Sequence, residues 1–389
     1  MWARHNAEWR DPAEVISHWQ GAGAVDPRLL RYRADGEWWD LLASLGVTVL
    51  VTREYEHLVV ALRADGGRPA LSYLPMPHPS GLAVDAERQS VYVASTRNPN
   101  QVYELAPVSG RLPRGDVAAS ASGERVLVPV GSRFYPGSLY LHDLALIGGE
   151  LHGNAVGQNA VVRLCERGQS APVWWPRCVD GEGGPTLSLN HIQLNSIAAG
   201  PDLASSYFTA SCDIVGSRRP GHRNFAVDRR GVVFSGASRE PIARGLTRPH
   251  SARRHQGRLW VDDSGYGELV VIEAGRPTTV ARLPGWTRGL CLVGDVALVG
   301  TSRVIPRFRR YAPGLDVEGS VCAVHAVHLP SGKVLGSLRW PYGNQIFAIE
   351  LISQESASGL PFPVGRARQR ARERDLFYAF STRSKGGDQ

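Results

Sequence analysis

Apolar residues along this chain recur at a period of two or in short unbroken runs, each closed by a turn containing Gly, Asp or Asn, which is the pattern of strands. The stretch from Pro249 to Leu269 shows the unit most fully. The pattern predicts a strand from about His250 to Arg254, a tight turn at His255-Gln256-Gly257, a second strand at Arg258 to Val261, a polar loop from Asp262 to Gly267 and a third strand at Leu269 to Glu273. Gly257 supplies the positive φ such a turn uses, and branched and aromatic residues suit the pleated surface. The same order of events starts again at His78 (HPSGLAVDAERQSVYVAS), Leu141 (LHDLALIGGELHGNAVG), Leu194 (LNSIAAGPDLASSYFTAS), Thr287 (TRGLCLVGDVALVGTSRV) and Asn344 (NQIFAIEL).

Units of roughly 40–50 residues that cannot each bury both faces alone are best stacked radially around a channel. The expected fold is therefore all-β, a six-bladed β-propeller. Strands near Val47 to Val60 are expected to complete the last blade, closing the ring and removing an open sheet edge. Outside this repeat, Trp38, Leu41, Leu42 and Leu45 fall at helical spacing and predict a short helix from Trp38 to Leu45. The expected organisation is an N-terminal appendage carrying that helix (1–45), the propeller (46–355), and an irregular Ser/Gly/Arg-rich C-terminal tail (356–389).

Composition agrees with many short strands: 43 glycines and 26 prolines accompany only two methionines in 389 residues. No window approaches the ~18 uninterrupted apolar residues of a membrane span, and the N-terminus lacks the basic-then-apolar order of a signal peptide. The expectation is a soluble, cytoplasmic protein with no membrane partner. The net charge of +8 comes mostly from arginines scattered through turns, with one dense run from Arg366 to Arg374, so a solvated basic surface is favoured over a nucleic-acid footprint. Five cysteines without CxxC spacing argue against a disulfide framework and against a structural zinc site. Nothing in the pattern speaks to oligomeric state.

The segments LASLGVTVLVT, HPSGLAVD, YPGSLYLHDLAL, LNSIAAG, ARGLTRPHSARRHQGRLWVDDSGYGEL, LPGWTRGL and QIFAIEL resemble those of the DUF4915 family and, more distantly, the blade pattern of NHL and gluconolactonase-like propellers. The resemblance runs from about Leu42 to Leu351, and it implies a propeller while saying little about a reaction. The chain departs from the family in carrying Gln345 where an acidic residue is common, and Arg254 where a Trp usually precedes the His of the fourth turn.

Aligning the repeats by their turns places Ser80, His142, Asn195, His250, Arg288 and Gln345 at the entrance of the innermost strands, where a propeller makes them a ring around one channel mouth. The second strand of each blade runs back to the same face, bringing Thr96, Asn154, Cys212 with Asp213, Asp263 with Ser264, and Ser302 with Arg303 around that opening. Imidazoles on different blades suit a transition metal such as Zn, Fe, Mn or Cu, with His142, His191 and His250 as ligands and Asn195 offering a carbonyl oxygen. A hydrogen-bonded plug in the channel is the competing reading of the same residues. Arg288 has the fork to hold a substrate carboxylate or phosphate, with Ser80, Asn154, Asp263, Arg303 and Gln345 as further substrate contacts. An ion pair between Arg288 and Asp143 or another neighbour is the bland alternative. His325 and His328 alternate with apolar residues on a strand and are expected at its surface or in its core. There is no P-loop, strand-to-helix GxGxxG, GxSxG elbow or HExxH.

The expected function is thus a metal-dependent hydrolase or lyase acting on a small anionic molecule, with His142, His250 and Arg288 catalytic. Its rival is a non-catalytic scaffold binding a protein or peptide.

Overall fold

The computed structural model describes residues 25–96, 100–108 and 125–365, so the N-terminal residues before 25 and the basic run from Arg366 lie outside the described residues. Six antiparallel sheets follow one another along the chain. Blade 1 comprises Pro79–Asp85, Ser90–Ser95, Asn100–Val108 and Val126–Tyr135; blade 2, Leu141–Ile147, Glu150–Ala155, Ala160–Leu164 and Ser170–Trp174. Blade 3 comprises Leu194–Ala198, Tyr207–Ala210, Gly231–Ser235 and Pro241–Leu246; blade 4, Pro249–His255, Arg258–Asp263, Glu268–Glu273 and Arg276–Arg282. Blade 5 runs through Trp286–Val293, Val296–Ser302, Ala323–His328 and Val334–Arg339, and blade 6 joins Ala348–Ser353 to Val47–Arg53, Leu58–Asp65 and Arg68–Pro75. The first strand of each blade contacts the first strands of both neighbours, which makes a closed six-bladed propeller. The expected closure holds: Val47 to Thr52 pair with Ser353 to Ala348, so the two chain ends share one sheet.

Two short strands widen the sheets further, Arg33–Gly36 on the outside of blade 5 and Phe362–Pro363 on the outside of blade 6. The helix Trp38–Leu45 occupies the span its periodicity predicts and buries Trp38 and Leu42 against blades 5 and 6. Gly36 turns the chain into it with φ +61, and a Cβ there would lie 2.4 Å from the Leu335 carbonyl oxygen. No helix among the described residues is long and apolar enough to cross a membrane.

Sequence dictates the packing directly, because a blade strand is covered on both faces by neighbouring blades. VTVLVTR is accordingly buried from Thr48 through Arg53. Apolar side chains fill all six gaps between adjacent blades, for example Leu50, Val59, Leu82 and Val93 between blades 6 and 1, and Leu246, Ala252, Val261 and Val270 between blades 3 and 4.

Polar residues at recurring positions lock the gaps. Each junction is spanned by a buried side chain donating to a carbonyl at the start of the next innermost strand: Thr52 to Ser80 (2.6 Å), Ser80 to Leu141 (3.0 Å), Asn154 to Leu194 (2.8 Å), Asn195 to Pro249 (2.9 Å), Ser264 to Thr287 (2.6 Å) and Ser302 to Ile346 (3.1 Å). A buried carbonyl without such a donor would carry its full desolvation cost, so these short polar side chains hold the ring closed.

The innermost strands approach so closely that Gly81 is obligatory, since a Cβ there would come within 2.6 Å of the Leu144 nitrogen. Register shifts interrupt the pairing at the ring position in blades 1 to 5. Such bulges re-aim the residue beside them, and Ser251 (φ 53) and Gly289 (φ 89) adopt the positive φ this needs.

Below the mouth, three blades are tied across the channel by charge. Arg253 reaches Asp143 and Glu350, each at 3.1 Å, from blades 4, 2 and 6. Asp143 also accepts from the backbone of Ile197 and Leu144. This ionic cluster is built from residues one or more positions beyond the predicted ring.

Candidate functional site

One end of the channel opens into a cavity of about 1090 Å³. Its floor is formed by buried His142, Arg248, His250, Arg288 and Gln345. Its walls include Glu54 and Tyr55 of the closing blade, Trp286, and the short helix Pro306–Tyr311.

His142 and His250 face each other with ring centroids 6.4 Å apart. The His250 Nδ1 lies 2.8 Å from the Arg248 carbonyl and 2.9 Å from the Ser264 hydroxyl, which itself donates to Thr287. Both neighbours therefore accept, so Nδ1 carries the proton and Nε2 keeps its lone pair. Neither ring nitrogen of His142 makes a hydrogen bond of normal geometry among the described residues, with the Asn195 side chain standing beside it. Burial holds both imidazoles well below their ordinary pKa, and the positive charges of Arg288 and Arg248 add to the effect; Asn195 beside His142 partly opposes it. Both are neutral at physiological pH. Because their pKa values are depressed, the stability they forfeit is lost only as pH falls below the unfolded value near 6.5. The lone pairs correspondingly persist to lower pH than the ordinary imidazole range.

Among the described residues seven arginines line the cavity, Arg219, Arg223, Arg248, Arg288, Arg303, Arg307 and Arg310, against one carboxylate, Glu54. Among the described residues none of the seven reaches a carboxylate at ion-pair distance. Arg288 lies over the Phe347 ring at 3.2 Å, and Arg248 and Arg310 lie 4.1 and 4.4 Å from the centre of the Tyr311 ring. Burial pushes Arg248 and Arg288 down to about 10, leaving both charged at neutral pH. Four guanidinium nitrogens of the seven arginines are buried without an acceptor among the described residues: Nε of Arg248 and Arg303, one terminal nitrogen of Arg288 and one of Arg310. The terminal nitrogens of Arg248 donate to Gln193, Ser211 and Pro220, and the other terminal nitrogen of Arg310 donates to Gly221 and Tyr311. Glu54 accepts from Thr96 at 2.6 Å, and His78 stands 3.8 Å away.

The structure thus brings His142, His250, Arg288, Arg303 and Gln345 together at one cavity. The remaining sequence candidates sit elsewhere. Ser80, Asn154 and Asn195 are engaged in the inter-blade clamps, although the Asn195 carbonyl oxygen makes no hydrogen bond of normal geometry among the described residues. Asp263 accepts from the Thr247 backbone and from Arg229, and burial raises its pKa to about 7. The His191 ring meets the Gly216 carbonyl at 3.1 Å, away from the floor. Asp143 pairs with Arg253 rather than Arg288. His325 is a core residue held between Thr301 and Ser337, with a pKa lowered to about 4 by burial. Cys212 is buried against the His191 carbonyl, and all five cysteines are free.

Several lining groups escaped the sequence reading. Arg248 stands only two residues before His250, and the segment Ile305 to Tyr311, IPRFRRY, interleaves arginines with aromatic rings. That interleaving is a legible signal of a cationic, stacking surface. Asp262, expected in a loop, lies on the second strand of blade 4 opposite His250. Its two carboxylate oxygens are buried without hydrogen bonds of normal geometry, and burial raises its pKa well above the usual 3.8. A buried acid with a raised pKa costs nothing below the unfolded value and progressively more above it. Asp262→Asn is therefore expected to raise the melting temperature more at pH 8 than at pH 4. An equal gain at the two pH values would show that this carboxyl titrates normally.

The family described as domain of unknown function DUF4915 matches residues 36–359, a span that takes in every blade and every residue lining the cavity. The chain belongs to the DUF4915 family. Among solved structures, a chain of the nidogen/laminin complex aligns with this DUF4915 protein at a TM-score of 0.51 and 12% identity, covering 78% of this chain and 98% of that one. A protein of unknown function from Bacteroides caccae gives 0.47 at 10% identity (79% and 98% covered), and a gluconolactonase from Xanthomonas campestris gives 0.44 at 14% (76% and 86%). At such identities the first likeness speaks for the propeller fold alone. No curated protein sequence matches the chain.

Proposed function

We propose that this DUF4915 propeller is an enzyme acting on a small anionic molecule bound at the channel mouth. The observation that carries the reading is the meeting of two neutral imidazoles with two buried guanidiniums, Arg248 and Arg288, on the floor of one cavity, where Arg248 bonds only neutral acceptors (Gln193, Ser211 and Pro220) and neither has a carboxylate at ion-pair distance among the described residues. An uncompensated buried charge is costly, and an anionic ligand supplies the missing partner. In this reading Arg288 holds the anion and stabilises charge that develops beside it. His250 takes a proton through Nε2, its tautomer fixed by the Arg248 carbonyl and Ser264. Proton abstraction next to an anionic group leads to elimination, and activation of a water leads to hydrolysis.

The transition metal expected from the sequence would have to be held by His142, His250 and the Asn195 oxygen, because the His191 ring is turned to Gly216. The described residues assemble no group of three His, Cys, Asp or Glu for a metal. Two guanidiniums beside the imidazoles also repel a dication, so the donor set fits poorly and no step here is routed through a metal. The scaffold reading draws less support. The Arg248 and Arg288 guanidiniums are buried in the cavity floor, where a small molecule fits and a folded surface does not.

Replacing Arg288 by Gln tests the reading. Binding of small anions, followed by calorimetry, is expected to weaken by about 10- to 100-fold, the worth of a hydrogen bond to a charged group in a desolvated site. The His142 and His250 resonances are expected to titrate at higher pH once the neighbouring positive charge is gone. Unchanged anion affinity together with unchanged titration would sink the proposal.

A further inference from the structure

We infer that the anion this cavity takes is carried on a flat aromatic body, an inference that deepens the reading above and rests on it. The cavity is far larger than an anion. Its volume of about 1090 Å³ stands at the top of the range, roughly 300–1,000 Å³, in which drug-sized ligands are buried. The imidazoles and arginines of the floor engage only the charged end, so the walls decide what the rest of the ligand is made of. On the side of blades 5 and 6 the wall is a run of rings. Tyr55, Phe308 and Trp286 follow one another with centroids 6.4 and 5.9 Å apart and planes turned by only 11° and 32°, and Trp286 stands 6.0 Å from His250. All three rings line the cavity and are only partly buried.

Ring planes that turn so gradually meet a flat conjugated body at several points, and each aromatic pair is stabilising beyond the area it buries. A flexible alkyl chain gains the area alone. A planar group of the chain itself already lies on this wall, the Arg307 guanidinium, 4.7 Å from the centre of the Tyr55 ring and 4.7 Å from that of Phe308. The other wall is aliphatic. In a six-bladed ring the junction of blades 2 and 3 stands across the channel from that of blades 5 and 6, and the connection there brings Leu187 and Leu189 to the cavity. Leu189 is left 62% exposed at φ 65. The backbone around it is nonetheless fixed: Asn159 donates to the Thr186 and Ser188 carbonyls, each at 2.9 Å, and the Leu189 carbonyl accepts from Arg219. Rings on one side and leucines on the other make an apolar slot with the imidazoles at its base.

The test is calorimetric titration of the full chain with 2-naphthoate, its saturated counterpart decahydro-2-naphthoate and the uncharged 2-naphthamide. 2-Naphthoate is expected to bind one per chain, at least about threefold more tightly than the saturated acid, the worth of one aromatic pair beyond its area. It should also bind at least about tenfold more tightly than the amide, which has no charge to offer the floor. Phe308→Leu keeps the apolar bulk and removes a ring, so it should bring 2-naphthoate down towards the saturated acid and leave the saturated acid unchanged. Phe134→Leu, half exposed on the outer strand of blade 1, should change neither. Thermal unfolding of both variants verifies that they fold. Equal binding of the two acids, or no effect of Phe308→Leu, overturns the aromatic body while leaving the anion seat. If none of the three compounds binds while small inorganic anions do, the aromatic body likewise falls alone. Equal binding of 2-naphthoate and its amide takes away the anion, and the reading above falls with the proposal.

Discussion

Arg253→Met is expected to destabilise the propeller by about 3 kcal/mol, the lower end of what breaking a buried ion pair costs, because the Arg253 side chain remains 17% exposed in the channel. The change leaves Asp143 and Glu350 facing the channel interior without their common partner. The loss should be read from chemical denaturation at neutral pH. It should shrink as pH falls and Glu350 takes up a proton, since burial already raises the pKa of that carboxyl. Adding Asp143→Asn and Glu350→Gln to the same chain should recover most of the loss, because no charge then remains to be solvated. A single variant as stable as the wild type would mean that the three groups are hydrated through the channel and do not hold the blades.

His250→Gln is expected to lower turnover about 10²- to 10⁴-fold, the usual contribution of a positioned general base. Anion affinity should persist, because glutamine keeps a donor for the Arg248 carbonyl and leaves both arginines in place. The pH dependence supplies a second readout. With its pKa held down by burial and by Arg288 and Arg248, the base stays unprotonated below pH 6.5, so activity should remain on its plateau through the range where an ordinary histidine would lose it. Full turnover in the glutamine variant would remove His250 from the chemistry.

The architecture was legible in the sequence because blade strands are covered on both faces and therefore read as short, nearly continuous apolar runs between turns. The helix at Trp38–Leu45 stood out for the complementary reason, its different period. The ring was legible only in part. Repeat alignment finds the position along a strand, and it found His142, His250, Arg288 and Gln345. It does not find the direction in which a side chain points after a bulge, and Asn195 turns to the next blade instead. Ser80 and Asn154 recur for a structural reason, donation to the neighbouring carbonyl, which a sequence reader cannot separate from a recurring functional one. Glu54, Arg248 and the arginines of the Pro306–Tyr311 helix follow no blade period and reach the cavity only through the closed ring.

That closure has a consequence for the making of the protein. Val47–Arg53 emerges from the ribosome roughly 300 residues before Ala348–Ser353, its partner along the inner edge of blade 6. During that interval the early strands have no neighbour on that side, and Glu54 and Tyr55 are separated from Trp286 and Gln345 by everything still to be translated. A nascent chain can assemble blades 1 to 5 in order, but it cannot enclose the cavity. Enclosure of the cavity is therefore a property of the finished polypeptide, and a chain ending before Ala348 leaves Val47–Arg53 as an exposed sheet edge in an open ring.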